Sequence, residues 1–345
     1  MRAVLVFILT LNFFPVSSQA ATFEVVNNDE CLLWLRGPIV PGDFETLYAT
    51  IHANGLTPEE FSLGEVNYHI GLCLDSPGGA AFEGQLIAEY VHSIGMPTRV
   101  PAEAECFSAC AIIFMAGRNL GGEFDGPLRE LSTLGIVGFH APFPVLKPGE
   151  VLTESEVMEL FDAYRILVAN MMKFGGNNTD YSSKPTMSIS LLEDLFSMAP
   201  EEFKTIETVE DALLWNVTLI DIPEKVVVDS EMRDAACKHF LSWTVDQRVS
   251  EMSFNTERKP WKTNAEVYGS VTPFEVFDHG RDAPILCLAE IVDVPVKGIL
   301  ICTDDGHRGV HYGDCRATEY GTAHWVPWYS GVKANTPIQD LKNWQ

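Results

Sequence analysis

The sequence predicts an α/β domain followed by a small β-rich module, and three observations lead there. From Thr22 to about Pro223, apolar runs of strand length alternate with segments of helical spacing, which implies parallel strands joined by right-handed crossovers. Within that region, strand-to-helix turns are built from glycine pairs or small residues. From about Val226 the helical spacing gives way to short β-rich runs such as Ile299–Cys302 and His324–Tyr329, with turn residues between them.

The elements follow in chain order. Residues 1–20 read as a signal peptide. Arg2 supplies the positive end, Ala3–Val16 is apolar apart from Thr10 and Asn12, and Ser18 and Ala20 are small residues suited to cleavage before Ala21. The apolar run is short for a bilayer-spanning helix. The expected product is a periplasmic or secreted protein with no membrane span in the mature chain. Its expected parts are an α/β domain over 21–225 and a disulfide-bearing β-rich module over 226–345.

In the first part, Cys31–Leu35 is a strand ended by Gly37-Pro38, and Phe44–Ile51 a short helix. Tyr68–Leu74 is a buried strand. Phe82, Leu86, Tyr90 and Ile94 recur at helical spacing until Gly95. Thr98–Val100 is a strand, Ser108–Met115 an apolar helix ended at Gly117, and Gly135–Phe139 a strand. Residues 118–133 read as a polar connection. Thr153-Glu-Ser-Glu156 is a capping box that opens a long amphipathic helix stopped at Gly175-Gly176. A further helix, Ser190–Met198, has a Ser-x-x-Glu start at Ser190 and Glu193.

Charge and cysteine usage narrow the function classes. The chain has 345 residues and a formal net charge of −25, with no basic stripe to neutralise phosphates, so nucleic acid is not an expected partner. The eight cysteines are an even number in an exported chain, which favours disulfides. Four lie in the first half and four in the last third, so pairing within each part is the economical expectation. Metal-ligand spacing is missing, and no metal is expected.

The chemistry concentrates between Gly71 and Pro142. An apolar strand runs into Asp75-Ser-Pro-Gly-Gly79. Ser108 stands at a helix start between Cys106 and Cys110, and a third apolar run delivers His140. A serine hydroxyl attacks a carbonyl only when a base takes its proton. At a helix start, free N–H groups face the place where negative charge develops. Gly78 and Gly79, in a turn open to dihedrals that other residues avoid, offer one arm of an oxyanion hole; the Ala109 N–H offers the other. His140 is the candidate base, since a parallel strand after the serine helix brings its end back beside that helix. The plainer alternatives are an N-cap serine, an ordinary turn and a strand-end histidine.

Taken together and in order, Asp75–Gly79, Ser108 within SACAIIFMAG and Gly138-Phe-His140 resemble the Clp-type serine peptidases. More closely, they resemble exported bacterial Clp-protease-like proteins of the Clp/crotonase superfold. The resemblance covers about residues 31–222 and includes a closing segment, Val209–Asp221. It implies stacked β-β-α units, Ser108 as nucleophile, His140 as general base, and Gly78, Gly79 and Ala109 as the oxyanion hole. The family's third member is an aspartate, about where this chain reads Met198-Ala-Pro-Glu-Glu202. Glu202 is the expected replacement, with Glu201, Asp194 and Asp211 as alternatives. Lys147 is a second candidate base, by likeness to serine–lysine relatives.

The expected function is an exported, ATP-independent serine peptidase acting on peptides or unfolded segments, with no cofactor. The alternative is a catalytically inactive scaffold that binds extended peptides or a protein partner. A coenzyme A–dependent crotonase-type enzyme is disfavoured by export and by the lack of a basic patch. Relatives form trimers or rings, so a homo-oligomer is expected, with the helix at 153–174 as the candidate contact.

Overall fold

The computed structural model describes residues 20–26, 28, 30–56, 71–119, 126–141, 151–176, 185–199, 202–223, 230–252, 274–276, 285–292, 298–304 and 322–344. Residues 1–19 of the segment expected as a signal peptide lie outside these, as do Lys147, Glu201 and Cys315. Among the described residues, no helix is long and apolar enough to cross a membrane.

The chain forms a mixed α/β structure. A six-stranded sheet has the order β1 (Thr22–Val25), β2 (Cys31–Arg36), β3 (Gly71–Asp75), β4 (Thr98–Val100), β8 (Arg129–Ser132) and β11 (Thr218–Ile220). Its pairings are parallel except for the antiparallel edge β1–β2. A second, three-stranded sheet contains β5 (Glu105–Phe107), β9 (Ile136–Phe139) and β10 (Lys204–Thr205), with β9 central. A two-stranded ribbon pairs β6 (Arg118–Asn119) with β7 (Gly126–Pro127). The central strand β3 is apolar on both faces (Leu72, Cys73 and Leu74 are fully buried), as expected for a strand covered on both sides.

The two sheets are threaded together by a repeated unit. β4 lies in the large sheet, β5 in the small one, and α3 (Ala109–Met115) follows. β8 then lies in the large sheet, β9 in the small one, and the long helix α4 (Glu154–Gly175) follows. The other helices of this part are α1 (Asp43–Ala53), α2 (Ala81–Ser93), α5 (Ile189–Ser197) and α6 (Val209–Leu214). α2 and α3 pack through small residues: Gly84 lies so close to α3 that a Cβ there would stand 2.8 Å from Ala109 Cβ. The Thr153/Glu156 capping box opens α4 as expected.

Three expectations are corrected. Residues 118–133 are not only a connection, because β8 occupies an interior position of the large sheet. Its sequence, Arg-Glu-Leu-Ser, conceals it: Arg129 and Glu130 are 2% and 3% exposed. Glu130 accepts from Arg99 Nε at 2.7 Å, and Arg129 donates to the Trp215 carbonyl at 3.4 Å, so the charges are carried inward with partners. The cap of α5 is Ser188, whose hydroxyl accepts from Leu191 N; Ser190 instead donates to Asp246 at 2.6 Å. The region after Val226 is not β-rich throughout. It opens with the helix α7 (Ser230–Val245) before the antiparallel sheet of β12 (Phe274–Val276), β13 (Ile285–Val292), β14 (Gly298–Asp304) and β15 (Thr322–Pro327). Ala236, Phe240 and Leu241 of α7 pack with Ile299 of that sheet.

Residues 328–344 then return to the first part. Trp328, Tyr329, Val332, Ile338 and Leu341 are buried in its core, and the Tyr329 hydroxyl accepts the Leu219 N–H at 3.0 Å. Thr208 and Pro337 form an antiparallel bridge.

Candidate active site

Ser108 occupies the one residue between the end of β5 and the start of α3. Its backbone has φ 57° and ψ −120°. That conformation is costly for a residue with a Cβ and persists only where its surroundings impose it. Here they do. The Ser108 N–H donates to Gly138 O at 2.9 Å, and its carbonyl accepts the first helical bond, from Ala111, at 3.0 Å. A disulfide joins Cys106 on β5 to Cys110 on α3, with Cα atoms 5.2 Å apart, and so spans the bend. Cys31–Cys73 ties β2 to β3. The four cysteines of the first half thus pair among themselves, and Cys237 is also disulfide-bonded.

The plain alternative for Ser108 does not fit. An N-cap serine has extended dihedrals and accepts a bond from the first helical turn. Ser108 has neither, and its side chain makes no cap bond. Its Oγ lies 2.7 Å from Nε2 of His140. The parallel register explains the meeting: Phe107 pairs with Gly138, so the residues that continue the two strands emerge side by side.

The other face of the imidazole fixes its proton. His140 Nδ1 is 2.7 Å from the carbonyl oxygen of Ala141. A carbonyl only accepts, so Nδ1 carries the hydrogen and Nε2 presents its lone pair to the Ser108 hydroxyl. Phe203 packs edge-on against the ring at a centroid distance of 4.9 Å, and also against Phe107 at 5.4 Å. This aromatic brace was not anticipated. Phe203 directly follows the Glu201-Glu202 pair, in a segment read only for carboxylates.

The glycine turn abuts the serine. The Ser76 N–H donates to Glu105 O at 2.7 Å, and the Phe107 N–H to Ser76 O at 3.0 Å, which stitches the turn to β5. Gly78 has φ 90°, and a Cβ there would stand 2.5 Å from Phe107 O and 2.7 Å from Ser108 Cβ. Its N–H is already donated to Ser76 Oγ at 3.1 Å. The N–H groups of Gly79 and Ala109 have no hydrogen-bond partner among the described residues, and both residues line the same cleft as Ser108 and His140. The available donors are therefore Gly79 and Ala109, with Gly78 shaping the turn.

Glu201 lies outside the described residues, and the other carboxylates expected near His140 are engaged elsewhere. Glu202 accepts from the Ala199 N–H at 3.1 Å. Asp211 caps α6 through Thr208 and lies 3.2 Å from Lys204 Nζ and 3.0 Å from Arg248. Burial pushes the Asp211 carboxyl up, but Lys204, Thr208 and Arg248 together hold it below the usual aspartate range. Asp194 pairs with Arg248 at 2.8 Å. Asp194 and Asp211 anchor Arg248, and the Ala141 carbonyl holds the position on the imidazole that a carboxylate fills in a Ser-His-Asp triad.

The cleft measures about 410 Å³. α4 lines one side with Leu160, Tyr164 and Leu167, and α2 and α3 line the other with Phe82, Gln85 and Ile112. Phe82 and Phe203 are 45% and 50% exposed, so its mouth is apolar as well.

No protein family matches the chain, and no curated protein matches it. Among solved structures, the chain is similar to a mutant of the 1510-N membrane-bound stomatin-specific protease. The two are 17% identical, the match covers 54% of this chain and 76% of that one, and the TM-score is 0.30.

Proposed function

We propose that this protein is an exported, ATP-independent serine peptidase of the Clp/crotonase kind. The observation that carries the reading is the state of Ser108: held at φ 57°, free of any cap bond, with its hydroxyl 2.7 Å from the unprotonated nitrogen of His140. Strained backbone at a nucleophile exposes the oxygen at the head of a strand-to-helix bend. The repeated strand–strand–helix unit, with one strand in each sheet, supports the superfold.

In the proposed reaction, Ser108 Oγ attacks the carbonyl carbon of a peptide bond as its proton passes to His140 Nε2. The carbonyl oxygen becomes an oxyanion and accepts from the N–H groups of Gly79 and Ala109. The C–N bond breaks, and His140 returns the proton to the departing amine. Water repeats the sequence on the acyl ester, with His140 again as base. The Nδ1–H bond to Ala141 O keeps the ring in the required tautomer. The peptidase domain takes in 21–225 and is completed by the returning residues 328–344; α7 and the sheet after it form the appended module.

The test is labelling with a fluorophosphonate probe, read by intact mass. The oxidised wild type gains one adduct, and Ser108→Ala and His140→Ala gain none. If the wild type stays unlabelled across the pH range, the peptidase reading fails and a peptide-binding scaffold replaces it.

A further inference from the structure

The start of the first strand brings a backbone nitrogen to a buried carboxylate. Ala21 is 6% exposed and directly precedes β1, whose Thr22 pairs with Arg36 of β2. The Ala21 N–H donates to Asp43 Oδ2 at 3.4 Å. Asp43 is the first residue of α1 and is 2% exposed. The same oxygen accepts the Val40 N–H at 2.7 Å, and the Asp43 N–H returns a bond to Val40 O at 3.2 Å. Among the described residues, no lysine, arginine or histidine side chain pairs with Asp43. The N-terminus of α1 offers it only a partial positive charge. Buried carboxylates are ordinarily paired, because an isolated one is expensive to take out of water. Asp43 has two backbone donors and lacks a cation.

Ala21 itself can supply that cation. The sequence places signal-peptide removal between Ala20 and Ala21. Water adds across that peptide bond, Ala20 leaves with the carboxylate, and Ala21 keeps an α-amino group, which is protonated at neutral pH. We propose that this new ammonium pairs with Asp43 and so couples removal of the signal peptide to the geometry of the oxyanion donors. The proposal rests on the expected cleavage before Ala21 and, for its effect on Ser108, on the peptidase reading. The coupling runs through the residues just ahead of Asp43. Ile39 clamps the glycine turn: its N–H donates to Gly78 O at 2.8 Å, and its carbonyl accepts the Ala80 N–H at 2.9 Å. Ile39 and Gly79 form a parallel bridge, so close that a Cβ on Gly79 would collide with Ile39 O. Val40, held by Asp43, is the next residue. Before cleavage the Ala21 nitrogen is a neutral amide. Afterwards its bond to Asp43 joins two full charges, which makes it about twice as strong, and Val40, Ile39 and the Gly79 N–H are held in one arrangement.

The test starts with the intact mass of protein exported from the full precursor, which should begin at Ala21. Its melting temperature and fluorophosphonate labelling rate are then compared with those of two forms that lack the ammonium. One is released from a removable tag with Ser18-Gln19-Ala20 still ahead of Ala21; the other begins at Ala21 and is acetylated there. Neither changes the interior. Asp43→Asn is made in the mature and the extended chain. The mature protein is expected to melt at least about 4 °C above both charge-free forms and to label at Ser108 at least about tenfold faster. In the Asp43→Asn pair both differences vanish, because the ammonium has lost its partner. A mature chain that begins elsewhere, equal melting of the three forms with native Asp43, or differences that survive in Asp43→Asn overturn the proposal. Higher melting with equal labelling rates overturns the coupling to the site. If no form labels Ser108 while the melting difference appears, the peptidase reading fails and the ion pair stands.

Discussion

At the scale of single residues, the site depends on two backbone conformations that the sequence only half discloses. The glycine pair at 78–79 announces a turn with unusual dihedrals, and both positions have positive φ. That Ser108 does too is invisible in the sequence, because nothing about a serine between cysteines specifies a left-handed backbone. Gly78 is the more sensitive probe of the arrangement. Its Cα rests against Ser108, and alanine there would place a methyl 2.5 Å from Phe107 O on a backbone with φ 90°. Gly78→Ala is expected to cost about 1–3 kcal/mol in stability. It should also slow fluorophosphonate labelling by about 100-fold, because sub-ångström displacement of a reacting oxygen is heavily penalised. Thermal unfolding and labelling rate measure the two effects separately. The third partner of the histidine was legible only as a question. Residues that prefer to be charged drew attention, while the group found on Nδ1 is the Ala141 carbonyl, which every residue possesses and no motif marks.

At the scale of elements, strands and helices with uniform patterns were legible and those with mixed patterns were not. The run from Leu72 to Leu74 and the apolar helix before Gly117 read correctly because burial on both sides selects one kind of residue. β8 was missed because its Arg129-Glu130 pair looks solvated. The partner that makes burial tolerable, Arg99 for Glu130, lies 31 residues away in sequence. This predicts a large effect from a modest change. Glu130→Ala leaves the Arg99 guanidinium, 13% exposed, without its carboxylate in the interior of the sheet, and is expected to destabilise the fold by about 3–5 kcal/mol. Chemical denaturation of the variant checks it; a loss below about 1 kcal/mol would mean that Arg99 finds water readily. α7 was missed for a related reason. Its polar face is long, and its buried stripe of Ala236, Phe240 and Leu241 is too sparse to stand out from the β-rich runs that follow.

At the scale of the whole molecule, the segment after β15 binds the parts together, and one buried histidine reports on that junction. His239 of α7 is 4% exposed and hydrogen-bonds the Ser330 carbonyl through Nδ1 at 2.8 Å. Burial pushes its pKa down to about 4, against the opposing pull of the Ser330 carbonyl; neighbouring Lys238 lowers it further. The folded state therefore holds this ring neutral where the unfolded chain would protonate it. Above about pH 6.5 both states are neutral, and the histidine adds no pH dependence. As pH falls from about 6.5 toward 4, the unfolded state gains a proton that the folded state refuses. Stability then declines by a total on the order of 3 kcal/mol. Thermal unfolding followed across that interval should show the decline, and His239→Gln should flatten it.

The return of residues 328–344 also sets an order of events in time. The Leu219 N–H is answered by the Tyr329 hydroxyl, 110 positions later. When β11 leaves the ribosome, the chain that will cover it has not yet been made. The half that carries the proposed site therefore stays unfinished throughout the synthesis of the later module, and closing so long a loop is slow. A chain that remains unfinished for that interval is a chain that can still be threaded through a narrow pore, as the proposed export would require.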